Sequence, residues 1–129
     1  VSYYFVTKLT MPFEQAVEAV TAALKAKGFG VLTTIDVKET LHRKLGVEFP
    51  RYTILGACNP GMAYQALQKE ARIGTMLPCN VIVRELEDGQ IEVAAVDPVA
   101  SMQAVENPEL GAIAGAVRSM LEEVVRSLS

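Results

Sequence analysis

Residues 3–9 alternate aromatic and β-branched side chains with small or polar ones, the two-residue period of a strand. After Pro12 the period changes. Phe13, Ala16, Val17, Val20, Ala23 and Leu24 recur at helical spacing, Lys25 and Lys27 suit the carboxyl end, and Gly28 can take the left-handed position that stops a helix. Residues 31–35 read as the next strand. Asp36 with Glu39 three positions on has the form of a capping box, and Leu41 and Leu45 give the following short helix a single apolar stripe, ended at Gly46.

The second half repeats this grammar. A strand at 52–57 follows Pro50, and a helix from Pro60 carries Met62, Ala63, Ala66, Leu67 and Ala71 as far as Gly74. Strands at 79–86 and 91–96 meet through Glu87-Asp88-Gly89-Gln90, whose Asp-Gly centre is a strong hairpin signal. The last helix is expected to take Asn107 as cap and Pro108 in its first turn, with Leu110, Ile113, Val117, Leu121, Val124 and Leu128 as its seam. The order β-α-β-(α)-β-α-β-β-α predicts one α+β domain over residues 1–129, its helices packed on a mixed sheet. Strand-helix-strand crossovers make the joined strands parallel, which puts Cys58 and Cys79 at opposite ends of their strands, about 20 Å apart at ~3.3 Å per residue.

A two-residue Asp88-Gly89 turn sets Glu87 opposite Gln90 and fixes every later pair. In that register Ile82, Leu86, Ile91, Val93 and Ala95 share one face. Val81, Val83, Ala94 and Val96 share the other, where only Glu85 and Glu92 suggest water. Either helices of the same chain cover this second apolar face or it joins two copies of the chain; a homodimer through Val81, Val83, Ala94 and Val96 is the expectation adopted.

Composition narrows the function classes. Fifteen acids against twelve bases give a formal charge of −3, and no basic run interleaves with aromatics, so nucleic acid is not an expected partner. Half the residues are hydrophobic, yet no run approaches the ~18 of a membrane span, and residues 1–8 lack the charged and apolar blocks of a signal peptide. A cytoplasmic protein is expected. Two cysteines without CxxC spacing fit free thiols in a reducing compartment, and with one histidine they fall short of a structural zinc site, so no metal is assigned.

Cys58-Asn59-Pro60 carries the candidate chemistry. There a strand passes directly into a helix, with Asn59 placed to cap it, Pro60 to begin it, and Cys58 at its positive end. Cys58, Asn59, Gly61 and Met62 are the candidate pocket for a small molecule or an anion. The alternative reading is a thiol enzyme, thiol carrier or soft-metal binder using Cys58, with His42 or Asp36 beside it; a small buried hydrophobe at a tight turn is the structural reading of the same cysteine. His42 otherwise reads as a surface residue and Asp36 as a cap. Gly28-Phe29-Gly30 follows a helix and precedes a strand, the reverse of a dinucleotide fingerprint. Met62, Met76, Met102 and Met120 read as core filler, and no catalytic signature or cofactor emerges.

Lys27-Gly28-Phe29-Gly30-Val31, Gly56-Ala57-Cys58-Asn59-Pro60 and Leu77-Pro78-Cys79-Asn80-Val81 together resemble the small bacterial family known as domain of unknown function 302, over nearly the whole chain. The Asn-Pro and Leu-Pro steps are the most specific parts. The resemblance implies a compact α+β domain, often dimeric, with no established reaction. It also implies that the cysteines mark a subgroup, because elsewhere in the family a Gly can precede the Asn-Pro and a Lys can follow the Leu-Pro.

Overall fold

In the computed structural model, which describes residues 2–129, the alternating segment at the start forms β1 (Tyr4–Leu9), directing Phe5, Thr7 and Leu9 inward. Helix α1 (Phe13–Ala26) buries Phe13, Ala16, Val20 and Leu24 along one stripe. Gly28 ends it at φ 86°, a conformation that glycine adopts without strain. There follow β2 (Gly30–Asp36), α2 (Val37–Leu45), β3 (Tyr52–Cys58), α3 (Pro60–Lys69), a 3-10 helix (Ala71–Met76), β4 (Cys79–Glu85), β5 (Ile91–Val96), α4 (Pro98–Ser101) and α5 (Leu110–Leu128).

The expected α+β domain is present, but its sheet is antiparallel throughout rather than mixed, in the order β1-β5-β4-β3-β2. The reason lies in how far each connection travels. Helix α1 does carry the chain to a strand of the same direction, yet β1 and β2 end on opposite edges and never pair. Between β3 and β4, α3 and the 3-10 helix fold back on each other and return the chain to the end it had just left. That connection acts as a long hairpin, pairing Ala57 with Cys79 and Leu55 with Val81.

The β4–β5 hairpin differs from its expected register by one residue. Leu86 N–H donates to the Gln90 carbonyl at 2.8 Å and Gly89 N–H to the Leu86 carbonyl at 2.9 Å, so the loop is the three residues Glu87, Asp88 and Gly89. Gly89 sits at φ 85°, the left-handed position that a three-residue hairpin places last. Because side chains alternate with period two, this slip redistributes both faces. Val81 and Val83 lie with Ile91, Val93 and Ala95 beneath α1 and α5, all of them buried. The opposite face carries Ile82, Arg84, Glu92, Ala94 and Val96. A dimer surface containing Val81 and Val83 is therefore excluded, since both have no exposed area.

Only one face of the sheet is covered. The main core joins the inner face to α1 and α5, and a smaller cluster of Ala66, Ile73 and Leu110 ties α3 and the 3-10 helix to the start of α5. Helix α2 contributes no buried residue. Its Asp36 cap forms as expected, accepting the Glu39 N–H at 3.0 Å, whereas the Glu39 carboxylate turns to Arg43 at 3.5 Å instead of closing the box. Helix α5 begins later than expected, at Leu110, with Asn107 Oδ1 accepting the Glu109 N–H at 3.0 Å in the turn before it.

Candidate functional site

The junction after β3 forms as its residues dictate. Asn59 has extended backbone, its Oδ1 accepts the Met62 N–H at 3.2 Å, and Pro60 occupies the first helical position, where no N–H is needed. The Asn59 amide nitrogen points to Met120 Sδ on α5 at 3.9 Å. Gly28 closes in from the other side: a Cβ there would lie 3.1 Å from Asn59 Nδ2. One asparagine thus locks α3 to the end of α1 and to α5.

A cavity of about 40 Å³ opens beside this lock, between α3, the start of β4, α4 and α5. Cys58, Asn59 and Met62 line it as the sequence anticipates; Gly61 does not, being exposed on the outer side of α3. Much of the remaining lining was hidden in the sequence. Cys79 and Pro78 enter because β4 begins where β3 ends, and Met102 enters from α4. Sequence did hold one signal for α4, the Asp97-Pro98 step: Asp97 Oδ1 accepts the N–H groups of Val99 at 3.0 Å and Ala100 at 3.5 Å. Its other oxygen accepts from Arg118 Nε at 3.1 Å, fastening α4 against α5.

The antiparallel pairing corrects the separation expected for the two cysteines. Cys79 is the direct partner of Ala57, next to Cys58, so the two cysteine residues lie at one end of the sheet and line one cavity instead of standing at opposite ends. Cys58 is half-buried and Cys79 buried, and both are free. Burial, reinforced by the neighbouring Cys58 sulfur, pushes the Cys79 thiol up to about 11. The rest of the lining is almost wholly apolar: apart from the thiols and the Asn59 amide it consists of Phe29, Met, Pro and aliphatic side chains. No cationic group faces it, which disfavours the anion reading of the pocket.

Asp36 and His42 stand elsewhere. Asp36 pairs with Thr53 whereas Gly30 pairs with Cys58, so five residues, about 17 Å of strand, separate Asp36 from the thiol. His42 is exposed on α2 with Nδ1 3.6 Å from Glu48. Neither can assist Cys58. Among the described residues no three His, Cys, Asp or Glu side chains converge on a metal-sized point, and no helix is long and apolar enough to cross a membrane.

With this geometry in hand, comparison with known proteins places the chain. Residues 5–128 match the family described as Domain of unknown function DUF302. The chain belongs to that family. Its fold is similar to a crystal structure of the uncharacterized conserved protein DUF302 from Bacillus stearothermophilus, with a TM-score of 0.92, 25% identity and complete coverage of both chains. It is also 28% identical over 87 residues to an uncharacterized protein of Aquifex aeolicus (strain VF5), covering 67% of this chain and 54% of that relative. The chain thus matches about half the length of that curated relative.

Proposed function

We propose that this DUF302 domain is a binding or accessory module that holds a ligand of very few atoms at the Cys58-Asn59-Pro60 junction. One observation carries the reading: the strand end, the helix cap and the adjacent strand's Cys79 all line a single cavity whose walls belong to five different elements. Such a convergence makes the cavity stiff, and about 40 Å³ suits a single ion or a molecule little larger than water. Native mass spectrometry of untagged protein, prepared without reductant or chelator, tests it. An adduct that survives gentle ionisation and disappears in Ala63→Leu, which fills the cavity, is the expected result. A bare chain whose Cys58 and Met62 amide resonances stay fixed during titration with few-atom ligands and ions overturns it.

The module is proposed to act as a homodimer through the open face of its sheet. Tyr4 and Val6 are 42% and 47% exposed there, beside Ile82, Ala94 and Val96, and an Arg84–Glu92 pair at 2.7 Å supplies both charge signs within the apolar field. A two-fold mate would offer Glu92 to Arg84 and Arg84 to Glu92, as a self-complementary patch requires.

A further inference from the structure

The cavity owes its existence to small residues on neighbouring helices. Ala63 and Ala66 line it from one stripe of α3, and α5 brings Ala114 beside the larger Ile113 and Val117. Protein interiors normally close such gaps, because an unfilled void forfeits packing contacts on every side. Here three polar pins hold the walls where they are. Asn59 ties the start of α3 to Met120 on α5, and Asp97 ties α4 to Arg118 on α5 at 3.1 Å. Asn107 Nδ2 donates to the Lys69 carbonyl at 2.9 Å and to Glu70 Oε1 at 3.2 Å, which fixes the far end of α3 to the chain entering α5.

The void held open in this way suits neither water nor an ion. A buried water needs about two to four hydrogen-bond partners. Asn59 is the one lining side chain that carries nitrogen or oxygen; its Oδ1 accepts the Met62 N–H and its Nδ2 faces the Met120 sulfur. Thiols are weak donors and add little. Among the described residues no buried side-chain nitrogen or oxygen lacks a partner, so nothing is left for a water to satisfy. An ion would lose its hydration with no charged side chain in the lining to replace it. Size excludes an aromatic ring, since benzene occupies an engineered void of about 150 Å³, whereas this cavity measures about 40 Å³. A narrow alkyl group needs only contact from the walls and supplies the dispersion attraction that the void lacks.

We infer that the cavity takes a short, uncharged alkyl group, either a free molecule of few carbons or the end of a longer chain. This rests on the reading of the junction as a ligand pocket and names the ligand class. Recognition is by shape and by exclusion of water, with no bond made or broken. Because the pins preform the walls, binding does not have to order them first. Met62 from α3 and Met102 from the turn after α4 are the adaptable part of the lining, since an unbranched thioether side chain can change rotamer to follow its guest. Cys58, Met62 and Pro78 line the cavity and also reach the surface, the side from which a chain end would enter.

The test uses the folded chain with carbon-13 in its methionine methyl groups. Met62 and Met102 line the cavity, whereas Met11 and Met76 do not and act as internal controls. Under xenon pressure the Met62 and Met102 methyl resonances are expected to shift saturably while those of Met11 and Met76 hold. The response should vanish in Ala63→Leu, which fills the void, and shrink in Ala63→Val, which keeps the comparison available if the leucine variant misfolds; circular dichroism verifies each fold. Propane and the n-alcohols from propanol to hexanol then separate the two sources. Affinity rising about fourfold with each added methylene identifies a chain end, and binding of xenon and propane without that rise identifies a free small molecule. Equal shifts at all four methionines, or a xenon response unchanged in the folded Ala63 variants, would overturn the assignment. If formate or halide ions move Met62 and Met102 and xenon does not, the alkyl assignment fails alone; if no probe moves them, the pocket reading fails with it.

Discussion

The two faces of the sheet both carry apolar residues and meet opposite fates. Val81, Val83, Ile91, Val93 and Ala95 are buried under α1 and α5, whereas Ile82, Ala94 and Val96 lie on the open side with Tyr4 and Val6. Hydrophobicity alone does not tell them apart. What separates them is a single-residue choice in the β4–β5 loop, where three residues instead of two assign each side chain to its face. An apolar strand residue is a core residue only when the register aims it at a helix.

The most disruptive way to probe this division is to place a charge on each side. Val83→Lys puts an unpaired ammonium into the covered core and is expected to cost about 4–5 kcal/mol, enough to unfold a marginal domain. Val6→Lys, at an exposed site on the other face, should change stability by no more than about 0.5 kcal/mol while converting the proposed dimer to monomer. Urea denaturation followed by circular dichroism measures the first, and light scattering the second. Equal stability losses would mean that the two faces are equally internal.

The tight spot on the open face should respond next. A Cβ on Gly56 would collide with the Thr33 side chain and come within 2.8 Å of Pro78 Cγ, so Gly56→Ala is predicted to cost about 1–3 kcal/mol. Thr33→Ala in the same chain should recover part of that loss in the same urea experiment, and no recovery would locate the strain elsewhere.

Raising the pH sharpens the covered side. The folded state holds the Cys79 proton up to about 11, against 9.0 for an ordinary cysteine, so the folded chain binds more protons between these values than the unfolded chain. The associated stability, about 2–3 kcal/mol, is fully present below pH 9 and disappears as the pH rises through 11. Cys79→Ala should flatten this part of the pH profile relative to wild type. For the same reason iodoacetamide at pH 7 should modify half-exposed Cys58 well before Cys79. Equal modification rates in the folded protein would contradict both the burial and the raised pKa.

A modest effect is expected at the helix cap. Asn59→Ala removes the acceptor for the Met62 N–H and should cost about 1 kcal/mol. Asn59→Asp, which keeps an acceptor oxygen but loses the donor to Met120, separates the cap from the lock between α3 and α5. Thermal unfolding of the two variants gives the split.

The order of the strands and of the longer helices, though not the 3-10 helix or α4, was legible from sequence, as were the Asn59 and Asp36 caps, the Gly28 stop and the candidate junction, because caps and stops depend on residues within one helical turn. Periodicity, capping and turn chemistry are local, and local rules hold before any tertiary contact exists. Three matters were decided by the fold as a whole. The return of α3 and the 3-10 helix to the end of β3 made β4 antiparallel and brought Cys79 beside Cys58. The three-residue loop assigned Val81 and Val83 to the interior. The Asp97–Arg118 contact seated α4, and Met102 after it, against the cavity. Each compares the energies of whole alternative packings, which no single segment of the chain encodes.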